Sequence, residues 1–299
     1  MAVGDPITAA RYNAMQGQVA NILGTGSGDK GYGQTLTSSQ VAVAQLIEDS
    51  HMNDLRLDIR KAYLHQNNSY PTLNVVTTSD TVTDNTLPNS YATFENLSIN
   101  IDTNRNTISA SRLTTGNTAS SYVRTTVWNG TRVGTFTVTF GTTNHARHFF
   151  NSGGAVQIDI NISGSGTSKV ADWNTMYSDM GTLTFANNDS SRSGAGGTLT
   201  SSVAYTTLTT TFQTIYTSTG TGAYASNNYN IQARFTDAFN LVIEFQITLD
   251  DGATAGTIDE DVDGNLNINV NRRIANGALS DPITITEPTF GAMSGTVTT

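Results

Sequence analysis

The chain has 299 residues, a net charge of −9, a pI near 4.7, only 13% charged residues and no cysteine. Disulfides and thiolate metal sites are therefore excluded, and a nucleic-acid surface is not expected, because phosphate binding needs clustered Lys and Arg and the 15 basic residues here are scattered. No apolar run reaches the roughly 18 residues of a membrane span, and the opening MAVGDPITAARYN has neither the basic nor the apolar region of a signal peptide.

Lysine occurs only at Lys30, Lys61 and Lys169, and Thr, Ser, Asn and Gly take the places that Lys and Glu normally hold. Thr favours strands through its branched Cβ, and Asn and Gly favour the turns between them. This bias predicts a mainly β protein.

Residues 1 to about 68 form the exception and read as a helical N-terminal segment. Asp5-Pro6 is a helix-start signal, and Tyr12, Met15, Val19, Ile22 and Leu23 recur at helical spacing up to Gly24. The Gly-rich stretch 24–33 reads as a flexible connector. It has Lys30 but lacks the strand before it and the Gly-Lys-Ser/Thr ending of a phosphate loop. Thr37, Ser38 and Ser39 offer a second N-cap. A second helical stretch is expected from about Gln40 to His65, with a break near Asp49; Met52, Leu55, Ile59, Ala62 and Tyr63 share one face of it. Two helices of this length do not close a core alone. Tyr12, Met15, Val19, Ile22, Met52, Leu55 and Ile59 are therefore the candidate assembly residues, needing other subunits, a neighbouring protein or the β region as partner.

From Pro71 the period becomes two. Strands are expected at Thr93–Ile101, Val123–Trp128, Gly134–Phe140, Ala155–Ile162, Gly181–Phe185, Ala204–Thr211, Phe212–Thr217, Asn230–Phe235, Leu241–Leu249, Leu266–Val270 and Ile283–Thr286. Turn signals at Asn129-Gly130, Ser163-Gly164, Asp251-Gly252 and Asp263-Gly264 separate them, and Ala171–Met180 reads as one short helix. The stretch 187–197 reads as a mobile surface loop. The pattern fits an antiparallel β-sandwich or jelly-roll-like architecture over 69–299, as one region or as 69–133 and 134–299.

Few residues invite chemistry. Asp259, Asp261, Asp263 and Gly264 match the first half of a calcium loop, whose alternate oxygens converge on one hard cation. The twelfth position, which should be Glu, is Val270, so a hairpin turn among solvated acids is the competing reading. His145 and His148 are spaced to share a metal on a helix, but their surroundings read as strand and loop. Tyr122, Trp128, Tyr205, Tyr216, Tyr224 and Tyr229 are candidates for stacking on sugars, against the plainer reading of core and edge packing. Neither Gly26-Ser27-Gly28 nor Gly164-Ser165-Gly166 has the strand-turn-helix setting of a serine nucleophile.

Several stretches resemble structural proteins of tailed bacteriophages, especially phages of marine cyanobacteria. They are GDPITAARYNAMQGQVANILGTGSGDKGYGQTLTSSQV with LRLDIRKAYLHQ, then HARHFFNSGGAVQIDINISG with DWNTMYSDMGTLTF, AYTTLTTTFQTIYTSTGTGAYASNNYNIQARF and VDGNLNINV. In that resemblance FFNSGG and MGTLTF are the more specific parts. It implies a non-enzymatic virion component of tail, baseplate, neck or fibre, without catalytic residues. The expected partners are copies of the chain, with a trimer favoured by analogy with fibres, and other virion proteins; the alternatives are a carbohydrate- or receptor-binding module and a polysaccharide depolymerase. Phe149, Phe150 and the strand Val156–Ile162 are expected in the core, with Gly153-Gly154 turning the chain before it.

Overall fold

The computed structural model describes residues 8–78, 80, 87–253 and 261–298. It divides into two compact units. A helical unit comprises Met1–Thr114, Arg147–Gly153 and Ile274–Thr286, and a sandwich unit comprises Thr115–Ala146, Gly154–Arg273 and Glu287–Thr299. The break in composition near 68 is thus not the boundary between compact units.

In the helical unit, helix α1 (Ala9–Leu23) is capped by Thr8, whose hydroxyl accepts from Arg11 N; Asp5-Pro6 lies outside the described residues. Helix α2 (Asp49–Asn67) starts later than expected. Glu48 is its N-cap, and His51 Nδ1 accepts from Glu48 N at 3.0 Å. The Thr37–Ser38 turn does not cap a helix. It is held by Asp58 of α2, which accepts from Thr37 N at 3.0 Å and from Ser38 N and Oγ at 2.8 and 2.7 Å. Helix α3 (Tyr91–Thr103) replaces the strand expected at 93–101. Ser90 caps it, and Tyr91, Phe94, Ser98 and Ile101, three or four residues apart, form its buried face. The three helices pack on one another around one apolar core.

The Gly-rich stretch 24–33 is not a loose connector. Tyr32, Gly33 and Gln34 donate their N–H groups back to Ile22, Gly24 and Leu23, each at 2.8 Å. Arg147 and His148 donate to the carbonyl of Thr25, both at 2.8 Å. Gly26, Gly28, Gly31 and Gly33 all have positive φ, and a Cβ on Gly33 would lie 2.3 Å from the His148 ring, so glycine is needed for both backbone and clearance. Residues 274–286 return to the same unit. Gln34 exchanges two bonds with the Thr284 backbone, Arg112 Nη2 donates to Ser280 O at 2.8 Å, and Ile283 sits in the helical core. The strand expected at Ile283–Thr286 is absent.

The sandwich unit is the antiparallel β architecture that the alternation predicts. Its elements are β1 (Leu113–Arg124), β2 (Gly130–Thr139), helix α4 (Thr143–Asn151, whose last turns belong to the helical unit), β3 (Ala155–Ser163), helix α5 (Ser168–Met180), β4 (Leu183–Phe185), β5 (Ser190–Arg192), β6 (Thr198–Leu199), β7 (Gln213–Thr219), β8 (Asn228–Phe235), β9 (Val242–Asp251), β10 (Asn265–Ala275), β11 (Thr289–Phe290) and β12 (Ser294–Gly295). One sheet has the order β1-β10-β3-β4-β5. The other has the order β11-β2-β9-β8-β7-β6, with β12 also on β2. Their inner faces meet where the ring of Phe185 stands edge-on to Phe245 at 5.3 Å, with Phe136 stacked on Phe245 at 5.0 Å.

Helix α5 is fastened to both sheets. Asn174 bonds the Ile162 N–H and carbonyl, both at 2.9 Å, continuing the ladder where β4 stops. The Tyr229 hydroxyl of β8 donates to Met176 O at 3.1 Å. Residues 187–197 are likewise tied down, with β5 paired to β4 and Gly194 N donating to Met180 O at 2.9 Å. Residues 204–211 carry a short 3-10 turn at Tyr205–Thr207 rather than a strand. Trp128 lies past the end of β1 and forms an isolated antiparallel bridge with Val262. Phe149 and Phe150 are buried as expected. Gly153 turns with φ 91°, and a Cβ there would lie 2.9 Å from Leu113.

Candidate functional site

The two-residue period of β3 and β10 puts every second side chain on the sheet face opposite the core. On β3 these are Gln157, Asp159, Asn161 and Ser163, and on β10 they are Asn271, Asn269, Asn267 and Asn265, directly opposite in that order. The outward row is thus mostly amide, with one carboxylate, Asp159, and one hydroxyl, Ser163. Its members bond sideways. Asn271 donates to Asp159 at 3.1 Å, Thr182 to Asp159 at 2.5 Å, and Asn267 to Asn161 and Ser163 at 3.1 and 3.2 Å. Thr115 donates to Gln157 at 3.1 Å and Gln157 to Thr184 at 3.3 Å. Such a face is polar and carries one charge, so covering it with another surface leaves little charge to desolvate. Beside it, Asp159, Asn161, Asn174, Ser178, Thr182 and Ser193 line a cleft of about 320 Å3.

The seven assembly residues are placed inside the chain. Tyr12, Met15, Val19, Ile22, Met52, Leu55 and Ile59 all lie in the core shared by α1, α2 and α3. Helix α3, read as a strand from sequence, is the partner that the first two helices lacked. Among the described large apolar side chains of the helical unit, the two most exposed lie in residues 40–48. Val43 is 94% and Leu46 78% exposed, and Leu46, Ile47, Met52 and Val76 border a groove of about 540 Å3 at the start of α2.

The acid run does not bring its described members to one point. Asp263 accepts from the hydroxyls of Ser165 and Thr167, fixing the turn before α5, while Asp261 accepts from Asn129 at 3.2 Å. Asp259 lies outside the described residues. Among the described residues no three His, Asp or Glu side chains come together as a ligand set. His145 and His148 do share a helix, α4, against the strand-and-loop reading; His148 spends Nε2 on Thr25 O.

Of the six candidate stacking aromatics, Trp128, Tyr216 and Tyr229 are buried and Tyr122, Tyr205 and Tyr224 half-buried. Trp128, Trp173, Tyr177, Tyr229 and Tyr216 follow one another at ring distances of 5.1, 5.7, 5.2 and 5.6 Å. Burial pushes the Tyr177 and Tyr229 hydroxyls well above their ordinary pKa, as for groups inside a core.

Three ion pairs are not legible in the sequence. Lys169 and Asp251 form a wholly buried ion pair at 2.9 Å between α5 and the end of β9. Asp29 is ion-paired with Arg105, which holds its carboxyl below the usual range, and Lys30 with Asp102 at 2.7 Å. The signal available in sequence was scarcity: two of only three lysines in the chain are used this way. The search of family models, curated proteins and solved structures found no match to this chain.

Proposed function

We propose that the chain is a structural component of a tailed-phage virion, in the tail, baseplate, neck or fibre, present in several copies and acting without catalysis. The phage half of this reading comes from the sequence resemblance. The structural half is carried by one observation: the outward face of β3 and β10 is a row of polar side chains with a single carboxylate, Asp159, and several of them are already hydrogen-bonded to one another. A surface of this kind suits packing against a neighbour. The helical unit is the attachment module on this reading, through Val43 and Leu46 rather than the seven core residues. Immunogold labelling of purified particles with an antibody to the chain tests it. Label at one fixed location on intact particles is expected; particles that never label, beside a lysate that reacts, would refute it.

A second reading, binding of a host-surface glycan, is favoured by the cleft beside Asp159, whose hydroxyl and amide lining suits sugar hydroxyls. A glycan array tests it: hits that vanish in Asp159→Ala support it, and no hit above background refutes it.

A further inference from the structure

Strand β1 ends the first sheet. It pairs with β10 on one side, and no strand pairs with its other side among the described residues. It is twelve residues long. A sheet edge of that length presents a row of N–H and C=O groups ready to pair with another chain, and proteins normally blunt such edges with Lys, Pro, a bulge or a covering segment. From Gly116 to Val123 the sequence is GNTASSYV, with no charge and no proline, and none of the described side chains there is buried.

The other edges of the fold are managed. The opposite edge, β5, has three residues, and Ser190 bonds residues 201 and 203 through its N–H and hydroxyl. In the second sheet β6, β11 and β12 have two residues each. Among the described residues β1 is thus the longest strand with an unpaired side, and a second β1 offers a strand of the same length and the same uncharged stretch.

We infer that β1 is an inter-subunit contact, pairing antiparallel with β1 of a second copy so that the five-stranded sheets of two chains become one. Self-pairing suits this strand because no like charges meet between Gly116 and Val123. The contact is isologous and has two-fold symmetry, where the fibre analogy predicts threefold. It deepens the multi-copy reading and rests on it.

The chain has no cysteine, so single cysteines are clean probes. Thr118→Cys, Ala119→Cys, Ser120→Cys and Ser121→Cys, with Thr210→Cys as an exposed control, are oxidised mildly, and native mass spectrometry is run on the wild type and on the double variant Thr118→Lys with Ser121→Lys. Expected are an even-numbered wild-type oligomer, a lysine variant of half that mass, and disulfide dimers at the position nearest the two-fold but not at the control. Opposed strands bring paired Cα atoms to about 4.5–5.5 Å, within disulfide reach. A wild type that stays oligomeric while the lysine variant keeps its mass and no β1 cysteine cross-links overturns the β1 contact and leaves the multi-copy reading standing. A monomeric wild type overturns both, and capture of a different protein's strand by β1 overturns the self-pairing. Should the lysine variant fail to fold, the cysteine series alone decides.

Discussion

The Nζ of Lys169 stands 2.9 Å from Oδ2 of Asp251, with both side chains wholly shielded from solvent. Removing one member of such a pair strands the other charge, at a cost of about 3–5 kcal/mol. Lys169→Met is therefore expected to lower the stability of the sandwich unit by that order in chemical denaturation. The double variant Lys169→Met with Asp251→Leu should recover much of the loss, because an apolar pair has no charge to desolvate. A single variant that melts like the wild type would show that the pair contributes nothing.

His65 is buried in the helical unit, edge-on to Tyr32 at 5.4 Å, and donates Nε2–H to Ser152 O at 2.9 Å. Burial, with Arg112 as a smaller contribution, pushes its pKa from 6.5 down to about 4. The unfolded chain therefore takes up this proton first as pH falls. The contribution of neutral His65 is complete above pH 6.5 and is lost progressively between pH 6.5 and 4; a shift of that size corresponds to about 3 kcal/mol. His65→Gln should flatten the fall in stability over that window relative to the wild type. Parallel pH profiles of the two proteins would contradict the assignment.

Asp263 fixes the turn into α5 through Ser165 and Thr167. Asp263→Ala is expected to cost about 1–3 kcal/mol, the usual penalty for stranding buried or part-buried donors, with or without chelator. Wild-type thermal melts in EDTA and in calcium should superimpose. A melt lowered by EDTA and restored by calcium would instead make the acid run, with Asp259, an ion site.

Deletion of residues 1–68 removes α1 and α2 but leaves Tyr91, Phe94 and Ile101 of α3, all now in a closed core. Fully exposing three such side chains costs about 1.5–3 kcal/mol each. The truncated chain should aggregate, whereas Val43→Glu with Leu46→Glu, at exposed positions, should fold normally. A soluble, cooperatively melting truncation would contradict the closed helical core.

The strands legible in sequence were those with contrasting faces. Ala155–Ile162 and Leu241–Leu249 alternate cleanly because one side meets the other sheet and the other side meets water. Residues 93–101 misled for a physical reason. Leu97, Ile99 and Ile101 alternate like a strand, yet the fold buries Tyr91, Phe94, Ser98 and Ile101 and leaves Ile99 half exposed. That choice is made by Ser90 as cap and by the waiting faces of α1 and α2, and only the first is local. The place of Ile283 in the helical core was illegible because 274–286 joins that unit after the long sandwich segment Gly154–Arg273. The outward amide row was half legible: Asn at alternate positions of β10 is visible in NLNINVN, but its register against Asp159 and Asn161 is not.

The most direct test of the virion role is quantitative mass spectrometry of nuclease-treated, gradient-banded particles, with the chain's peptides measured against those of the major capsid protein. The expected result is a fixed ratio equal to several copies per particle, unchanged by a second round of banding. A chain abundant in the lysate whose ratio to capsid falls towards zero on purification would contradict it.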